Sequence, residues 1–306
     1  MSVRNGLPYL ETAIRSILSQ TFDDFEFVIV DNASTDGSIE LVERLAAADS
    51  RIVFLRNARD LGQSGSLNRG LEICRGAWIA RMDADDAALP ARFESQLAFV
   101  RDNPDVKATS CLAYYINAKD ERVGKTFHDL TTREALRRYR NEGRAIGMLH
   151  PGALIEKNTL VRVGGYRPAF DPANDIDLWC RISDDAAVLV QPEYLMEYRV
   201  HGGSDIARAF RLSLQKTLWA RDCMRARRAS KPEPAWEAFL AGRKNASWWL
   251  RLNRWRKANA KRLYRQSALN RISSHAFRSL VEMGVATLLQ PAYTLRRIKG
   301  QLYRGA

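Results

Sequence analysis

Residues 76–90 read GAWIARMDADDAALP. A short apolar run, Trp78 to Ala80, leads into Asp83, Asp85 and Asp86, three carboxylates within four positions. Like charges this close repel one another, and burial at a strand end makes each of them costlier. A solvated turn, where Asp is common, is the plainest account of such a stretch. The segments upstream argue for another. YLETAIRSILSQ (9–20) carries Leu10, Ile14, Ile17 and Leu18 at helical spacing, and FEFVIVD (25–31) is a Val- and Ile-rich strand. The polar loop NASTDGS, the helix SIELVERLAA, the strand RIVFLRN and the loop-to-helix segment GQSGSLNRGLEIC follow in order. Strand, loop and helix repeated at this spacing predict parallel βαβ units, and such sheets bind ligands at the carboxyl ends of their strands. Two strands, ending at Asp31 and at Asp83 to Asp86, deliver polar side chains to that one edge. A turn needs no second acidic strand end beside it; a nucleotide and metal site does. The sequence therefore predicts an α/β fold with a mostly parallel sheet flanked by helices.

The chain has 306 residues, 46% of them hydrophobic, enough for one large or two modest domains. Its four cysteines (Cys74, Cys111, Cys180, Cys223) form no CxxC pair, which argues against a zinc site or a disulfide framework and for a reducing cytoplasm. No basic-then-apolar leader opens the sequence, and no apolar run reaches the ~18 residues of a membrane span. Charge is unevenly spread. Residues 206–306 hold 23 Lys and Arg against 4 Asp and Glu, a net of +19, whereas residues 1–205 carry a net of −6. Opposite signs imply two jobs. The expected division is an α/β domain over 1–205 and a basic helical region over 206–306, with the Gly-Gly turn of HGGSDIA at the boundary.

Six segments, in order, resemble the family 2 glycosyltransferases of the GT-A fold: YLETAIRSILSQTFDDFEFVIVDNASTDGS, NARDLGQSGSLNRGL, GAWIARMDADDAALPARFESQ, HPGALIEKNTLVRVGGYRPAF, NDIDLWCRI and YRVHGGS. The resemblance covers about 1–204 and leaves the basic tail outside. It implies an inverting, metal-dependent transfer of a sugar from a nucleotide-sugar donor to a glycan or lipid-linked acceptor, as in cell-surface polysaccharide biosynthesis. Breaking the sugar–phosphate bond builds negative charge on the leaving diphosphate, which a carboxylate-held Mg²⁺ or Mn²⁺ neutralises as a Lewis acid. Asp83 and Asp85 match the family's DxD motif, Asp85 as the metal contact and Asp83 towards the ribose and the metal's water shell. Asp86 is expected to face the donor sugar.

The resemblance places the general base at Asp175 in PANDIDLWCRI; taken alone, that residue reads more readily as a first-turn carboxylate complementing a helix dipole. Asp177 is expected to be structural. His201 falls where the family often has a histidine near the metal or diphosphate, His150 matches a family position, and Trp179 is either core or a wall of the acceptor site. Asp31 and Asn32 stand where the family commonly has two acidic residues, one of them contacting the nucleotide base. An amide both donates and accepts, so Asn32 remains able to read a uracil or thymine edge. Asn68 is a further donor-side residue.

The family normally opens with an apolar strand running into Pro-x-Tyr-Asn. Here the chain opens MSVRNGLPYL, with Asn5 at the family's Asn and Arg4 in place of its Tyr. Three preceding residues do not fill a strand of the usual ~5–6 residues. The expectation is a fragment, a start set late, or impaired activity, the first two favoured by the intact downstream motifs. In the tail, Trp248, Leu252 and Trp255 share one face of NASWWLRLNRWRKANAKRLYRQ, with Arg and Lys around them. Docking to an anionic membrane surface and inward packing in a helical subdomain both suit this pattern, whereas nucleic-acid binding rests on charge alone. The expected location is cytoplasmic, or peripheral at the inner face of the membrane. The competing functions are a non-catalytic protein on the same nucleotide-sugar fold and a basic binding module whose first region is scaffold.

Overall fold

The computed structural model describes residues 1–200, 210–272, 276–292 and 294. Two compact units emerge, one formed by residues 1–199 with 216–233 and the other by residues 200–215 with 234–306.

The first unit opens with β1 (Ser2–Val3), α1 (Leu10–Leu18), β2 (Phe27–Asp31), α2 (Ser38–Ala48), β3 (Ile52–Arg56) and α3 (Gly62–Ile73). Strands β1, β2 and β3 pair in that order and are all parallel, as the repeating strand–helix pattern predicts. All five residues of β2 are buried, which explains why its sequence is a continuous apolar run. Helix α1 buries Leu10, Ala13, Ile14 and Ile17, the stripe its spacing implies. Strand β1 is only two residues long, yet the Met1 amine extends the ladder by donating to the Val28 carbonyl at 2.8 Å. Helix α3 lies close over β2: a Cβ at Gly70 would stand 3.2 Å from Val30 Cγ2.

The chain continues through β4 (Trp78–Ala80), β5 (Ala87–Ala88), α4 (Arg92–Asp102), β6 (Val106–Ile116), β7 (Arg122–Lys125), α5 (Arg133–Asn141), β8 (Leu154–Glu156), α6 (Lys157–Arg162), α7 (Asn174–Asp185) and β9 (Ala187–Arg199). These strands build a second, six-stranded sheet in the order β4-β8-β6-β9-β5, with β7 on β6. It is mixed: β6 and β9 run parallel, and the other pairs are antiparallel. One core lies around Ile14, Ile29, Met82 and Phe93, a second around Val106, Ile155, Leu178 and Trp179. The carboxylate stretch 83–86 therefore sits in the short link between β4 and β5.

Helix α8 (Phe210–Arg228) follows, and its Trp219 stacks on Phe170 at 3.9 Å. The second unit contains α9 (Trp236–Lys244), α10 (Trp248–Ile272) and α11 (Ala276–Leu289). Helices α10 and α11 pack as a hairpin, with Ala260 and Ala286 fully buried and Ser267 Oγ donating to the Ser279 carbonyl at 2.8 Å. No helix among the described residues is long and apolar enough to cross a membrane.

Candidate active site

Beyond β4 the backbone turns so that Asp83, Asp85 and Asp86 converge, with one carboxylate oxygen from each lying within 4.8 Å of the others. Arginines hold this loop. Arg81, almost fully buried, donates its guanidinium to the Met82 carbonyl and the Asp83 carboxylate. Arg92, wholly buried beneath the loop, donates to the Arg81 carbonyl at 2.7 Å and the Ala153 carbonyl at 3.1 Å. Arg199, at the end of β9, donates its backbone N–H to Asp86 Oδ1 at 2.7 Å and its Nε to the Asp85 carbonyl at 2.7 Å.

The repulsion visible in the sequence persists in the structure. Burial pushes Asp86 well above the ordinary carboxylate range, and the neighbouring Asp85 and Asp83 charges push it further. Burial likewise raises Asp83, with Arg81 opposing the shift and Asp85 adding to it. Asp86 Oδ2 is buried and has no hydrogen-bond partner. Hard carboxylate oxygens, like charges at close range and an orphaned buried acceptor are the donor set that suits a hard divalent cation such as Mg²⁺ or Mn²⁺. The residues present fit the metal that the sequence implied.

A cleft of about 460 Å³ lies along the end of β2, lined by Asp31, Ser34, Thr35, Ile39, Arg56 and Asn57, among others. Asp31 is buried; its Oδ2 accepts the Ser34 N–H at 3.1 Å, while its Oδ1 has no partner. Asn32 is committed within the protein. Its carbonyl oxygen accepts from Leu61 N at 2.8 Å and Asn57 Nδ2 at 3.1 Å, and its amide donates to Asp60 Oδ1 at 2.6 Å. Arg4, the departure from the family's Tyr, forms an exposed ion pair with the same Asp60. Asn5 accepts the Thr35 N–H at 2.8 Å and so ties the chain start to the loop that follows β2.

Asp175 occupies the first turn of α7, partly buried, and desolvation pushes it up to about 6, with the Asp83 charge adding. Asp177, fully buried, is clamped between Arg167, whose Nε lies at 2.9 Å, and Arg181, whose Nε also lies at 2.9 Å. That is the structural position expected of it. Removing the carboxylate in Asp177→Ala would leave the buried Arg181 with only the Val163 and Gly165 carbonyls, and Arg167 with Glu233 as its remaining carboxylate. A loss of about 3–5 kcal/mol is expected in urea unfolding. A loss under about 1 kcal/mol, the level of an exposed pair, would contradict the clamp.

Trp179 is fully buried in the core. His150 is buried too, its Nε2 at 3.0 Å from the Tyr166 hydroxyl, and burial holds it well below the usual imidazole range. Asn68 donates to the Tyr166 carbonyl at 2.7 Å and accepts its N–H at 2.8 Å. Gly165, at φ +64°, permits this contact, because a Cβ there would stand 2.7 Å from Asn68 Oδ1. His201 lies outside the described residues. The structure thus groups Asp83, Asp85 and Asp86, sets Asp31 in the cleft, and turns Asn32 and Asn68 towards internal contacts.

Arg81, Arg92, Arg199, Asp60 and Asp171 escaped the reading of the sequence. Asp171 accepts the Ser64 hydroxyl and the Ser64 N–H, and Asn174 donates to Ser64 Oγ at 2.8 Å, so the starts of α3 and α7 are tied together. A signal existed for Arg81 and Arg92: a guanidinium in an apolar context next to an acidic loop must find partners.

The profile of glycosyl transferase family 2 matches residues 1–164. The chain belongs to that family. An uncharacterised glycosyltransferase of Methanocaldococcus jannaschii is 30% identical over 194 residues, spanning 63% of this chain and 66% of that protein. The chain thus covers just under two thirds of that relative's length. The O-antigen biosynthesis glycosyltransferase WbnJ of Escherichia coli is 28% identical over 216 residues, spanning 67% of this chain and 79% of WbnJ. Among solved structures, the mannosyltransferase PcManGT from Pyrobaculum calidifontis, in complex with GDP-Man and Mn²⁺, superposes with a TM-score of 0.54 at 20% identity, covering 98% of this chain and 78% of that one. The fold of this member of the family is GT-A.

Proposed function

We propose that this glycosyltransferase is inverting and metal-dependent, and that it moves a sugar from a nucleotide-diphosphate donor to a glycan or lipid-linked acceptor in surface polysaccharide assembly. The observation that carries the reading is the carboxylate cluster with its orphaned Asp86 oxygen, near enough to Asp175 for the Asp83 charge to help raise that carboxyl. WbnJ, named for O-antigen biosynthesis, supports the product class, and PcManGT, solved with GDP-Man and Mn²⁺, supports the donor and metal class.

In this reading Asp85 and Asp83 hold the cation, which when bound neutralises charge on the leaving diphosphate. Arg81 keeps Asp83 oriented, and Arg199 fixes the backbone that carries Asp85 and Asp86. Asp86 faces the donor sugar. Asp31 offers its unpartnered Oδ1 to an N–H of the base, with Asn32 holding the floor of that cleft. Asn68 acts by positioning the Tyr166 backbone, and His201 remains the proposed histidine of the diphosphate side. Asp175 takes the proton from the acceptor hydroxyl as its oxygen bonds the anomeric carbon. The sugar–phosphate bond breaks on the opposite face and its electron pair leaves on the diphosphate, so the anomeric configuration inverts. The proposed location is the cytoplasm, at the inner face of the membrane.

A base raised to about 6 gives a signed pH dependence. Below that value Asp175 is protonated and cannot accept the acceptor's proton, so kcat/KM, which reports the free enzyme, should fall tenfold per pH unit below about 6 and level off above it. A flat profile between about pH 5 and 8 would assign the limb, and the base, elsewhere. Proton NMR of the transferred sugar tests the stereochemistry: the anomer opposite to the donor's is expected, and retention would overturn the inverting assignment.

A further inference from the structure

We infer that the α10–α11 hairpin is a docking surface for an anionic bilayer, with the tryptophans at the start of α10 as its apolar anchor. The inference rests on the proposed location at the membrane face and specifies which residues would make the contact.

Trp248 is 64% exposed, Trp249 62% and Trp255 54%. Trp248, Leu252 and Trp255 fall at i, i+4 and i+7 on one stripe of α10, and Trp249 stacks on Trp248 at 4.2 Å. Of the two readings of the sequence, inward packing would bury these rings, and the structure leaves them in solvent. Helix α11 repeats the theme. Ser279 and Ala286 pack against α10, while Leu280, Val281, Val285 and Leu288 line the outward side at i, i+1, i+5 and i+8, Leu288 being 80% exposed. Single exposed apolar residues are ordinary, but two neighbouring helices each presenting a stripe of them mark an interaction site.

Charge selects the occupant. Residues 248–272 contain eight Lys and Arg and no Asp or Glu. Arg256 walls a surface recess of about 290 Å³ together with Trp249, Leu250, Leu252 and Asn253, so a guanidinium borders the aromatic patch. A second copy of this chain would bring two such positive surfaces together. A nucleic acid would satisfy the arginines but leave Leu280, Val281 and Leu288 unused. An anionic bilayer meets both demands, because phosphate headgroups face the basic residues and the interfacial region accepts Trp and Leu side chains.

Flotation of the full chain with phosphatidylcholine vesicles, with and without about one third phosphatidylglycerol, tests this. Recovery on anionic vesicles should exceed that on neutral ones by at least about tenfold at low salt and fall in high salt. Tryptophan emission should shift to the blue on anionic vesicles. The triple variant Trp248→Ala/Trp249→Ala/Trp255→Ala should lose about tenfold or more of that recovery. A second variant, Leu280→Ser/Leu288→Ser, probes α11 with the aromatics intact and should also weaken binding. Equal recovery on both vesicle types, recovery on neither, or anionic binding untouched by both variants would overturn the inference. So would a parent dimer that either variant converts to monomer, or an RNA that outcompetes the vesicles. Donor turnover measured on the same samples separates this from the proposed reaction: a chain that floats without consuming donor damages only the reaction, and the converse damages only the docking surface.

Discussion

Alanine at Asp85 is expected to abolish sugar transfer and metal-dependent donor binding while leaving the protein folded. The loop that carries Asp85 is held by Arg199, which donates to the Asp85 backbone carbonyl and so survives loss of the side chain. The Asp85 charge also contributes to the upward push on both Asp83 and Asp86. Removing it from the repelling cluster should leave the apo protein's Tm unchanged or raised. Calorimetric titration with UDP or GDP and Mn²⁺, beside a thermal melt of the apo form, separates the two effects. Parent-like affinity in the variant would refute the metal assignment, and a collapsed melt would refute the claim that the cluster costs stability.

Asp175→Asn should behave differently. Donor and metal affinity are expected to stay near the parent's, because Asp175 is not one of the three carboxylates whose oxygens converge in the cluster. Turnover should fall by about 10²–10⁴-fold, the usual contribution of a general base. Asparagine keeps the shape and can still hydrogen-bond the acceptor, but it cannot take up the proton. Stability supplies an independent sign. A carboxyl raised from 3.8 to about 6 in the folded protein costs stability once the pH exceeds the unfolded value, and the cost is complete above the folded one. Asp175→Asn should therefore gain in Tm over the parent at pH 8 and gain nothing at pH 3.5. Parent-like turnover at saturating acceptor would move the base elsewhere. Asp177, with both oxygens held by Arg167 and Arg181, is poorly placed to take it over.

Local pattern made the first half of the fold legible. The all-buried β2, the stripe of α1 and the acidic loop after β4 each follow from residues within one element. The six-stranded sheet was not legible in the same way. Strand β4 is three residues long and its partner β8 is some seventy positions away, so no local periodicity announces the pairing. The clamps around the site are hidden for the same reason: Asp86 and the Arg199 N–H that it accepts are 113 residues apart. Asn32 and Asn68 show where local reasoning stops. An amide at a strand end or on a helix near a ligand edge looks like a ligand contact, and only the folded chain reveals that Leu61, Asn57, Asp60 and the Tyr166 backbone already engage them. In the tail the Trp248–Leu252–Trp255 stripe was readable from spacing, whereas the outward stripe of α11 needed the hairpin to define which side faces α10.

The most direct test of the central claim is release of nucleoside diphosphate from a panel of UDP-, dTDP- and GDP-sugars, each incubated with the protein in Mn²⁺ and again in excess chelator. Consumption of at least one donor in Mn²⁺, lost both in chelator and in Asp85→Ala, is the result expected of a metal-dependent glycosyltransferase built on this carboxylate cluster. Consumption undiminished by chelator, or no donor consumed or bound under either condition, would contradict it.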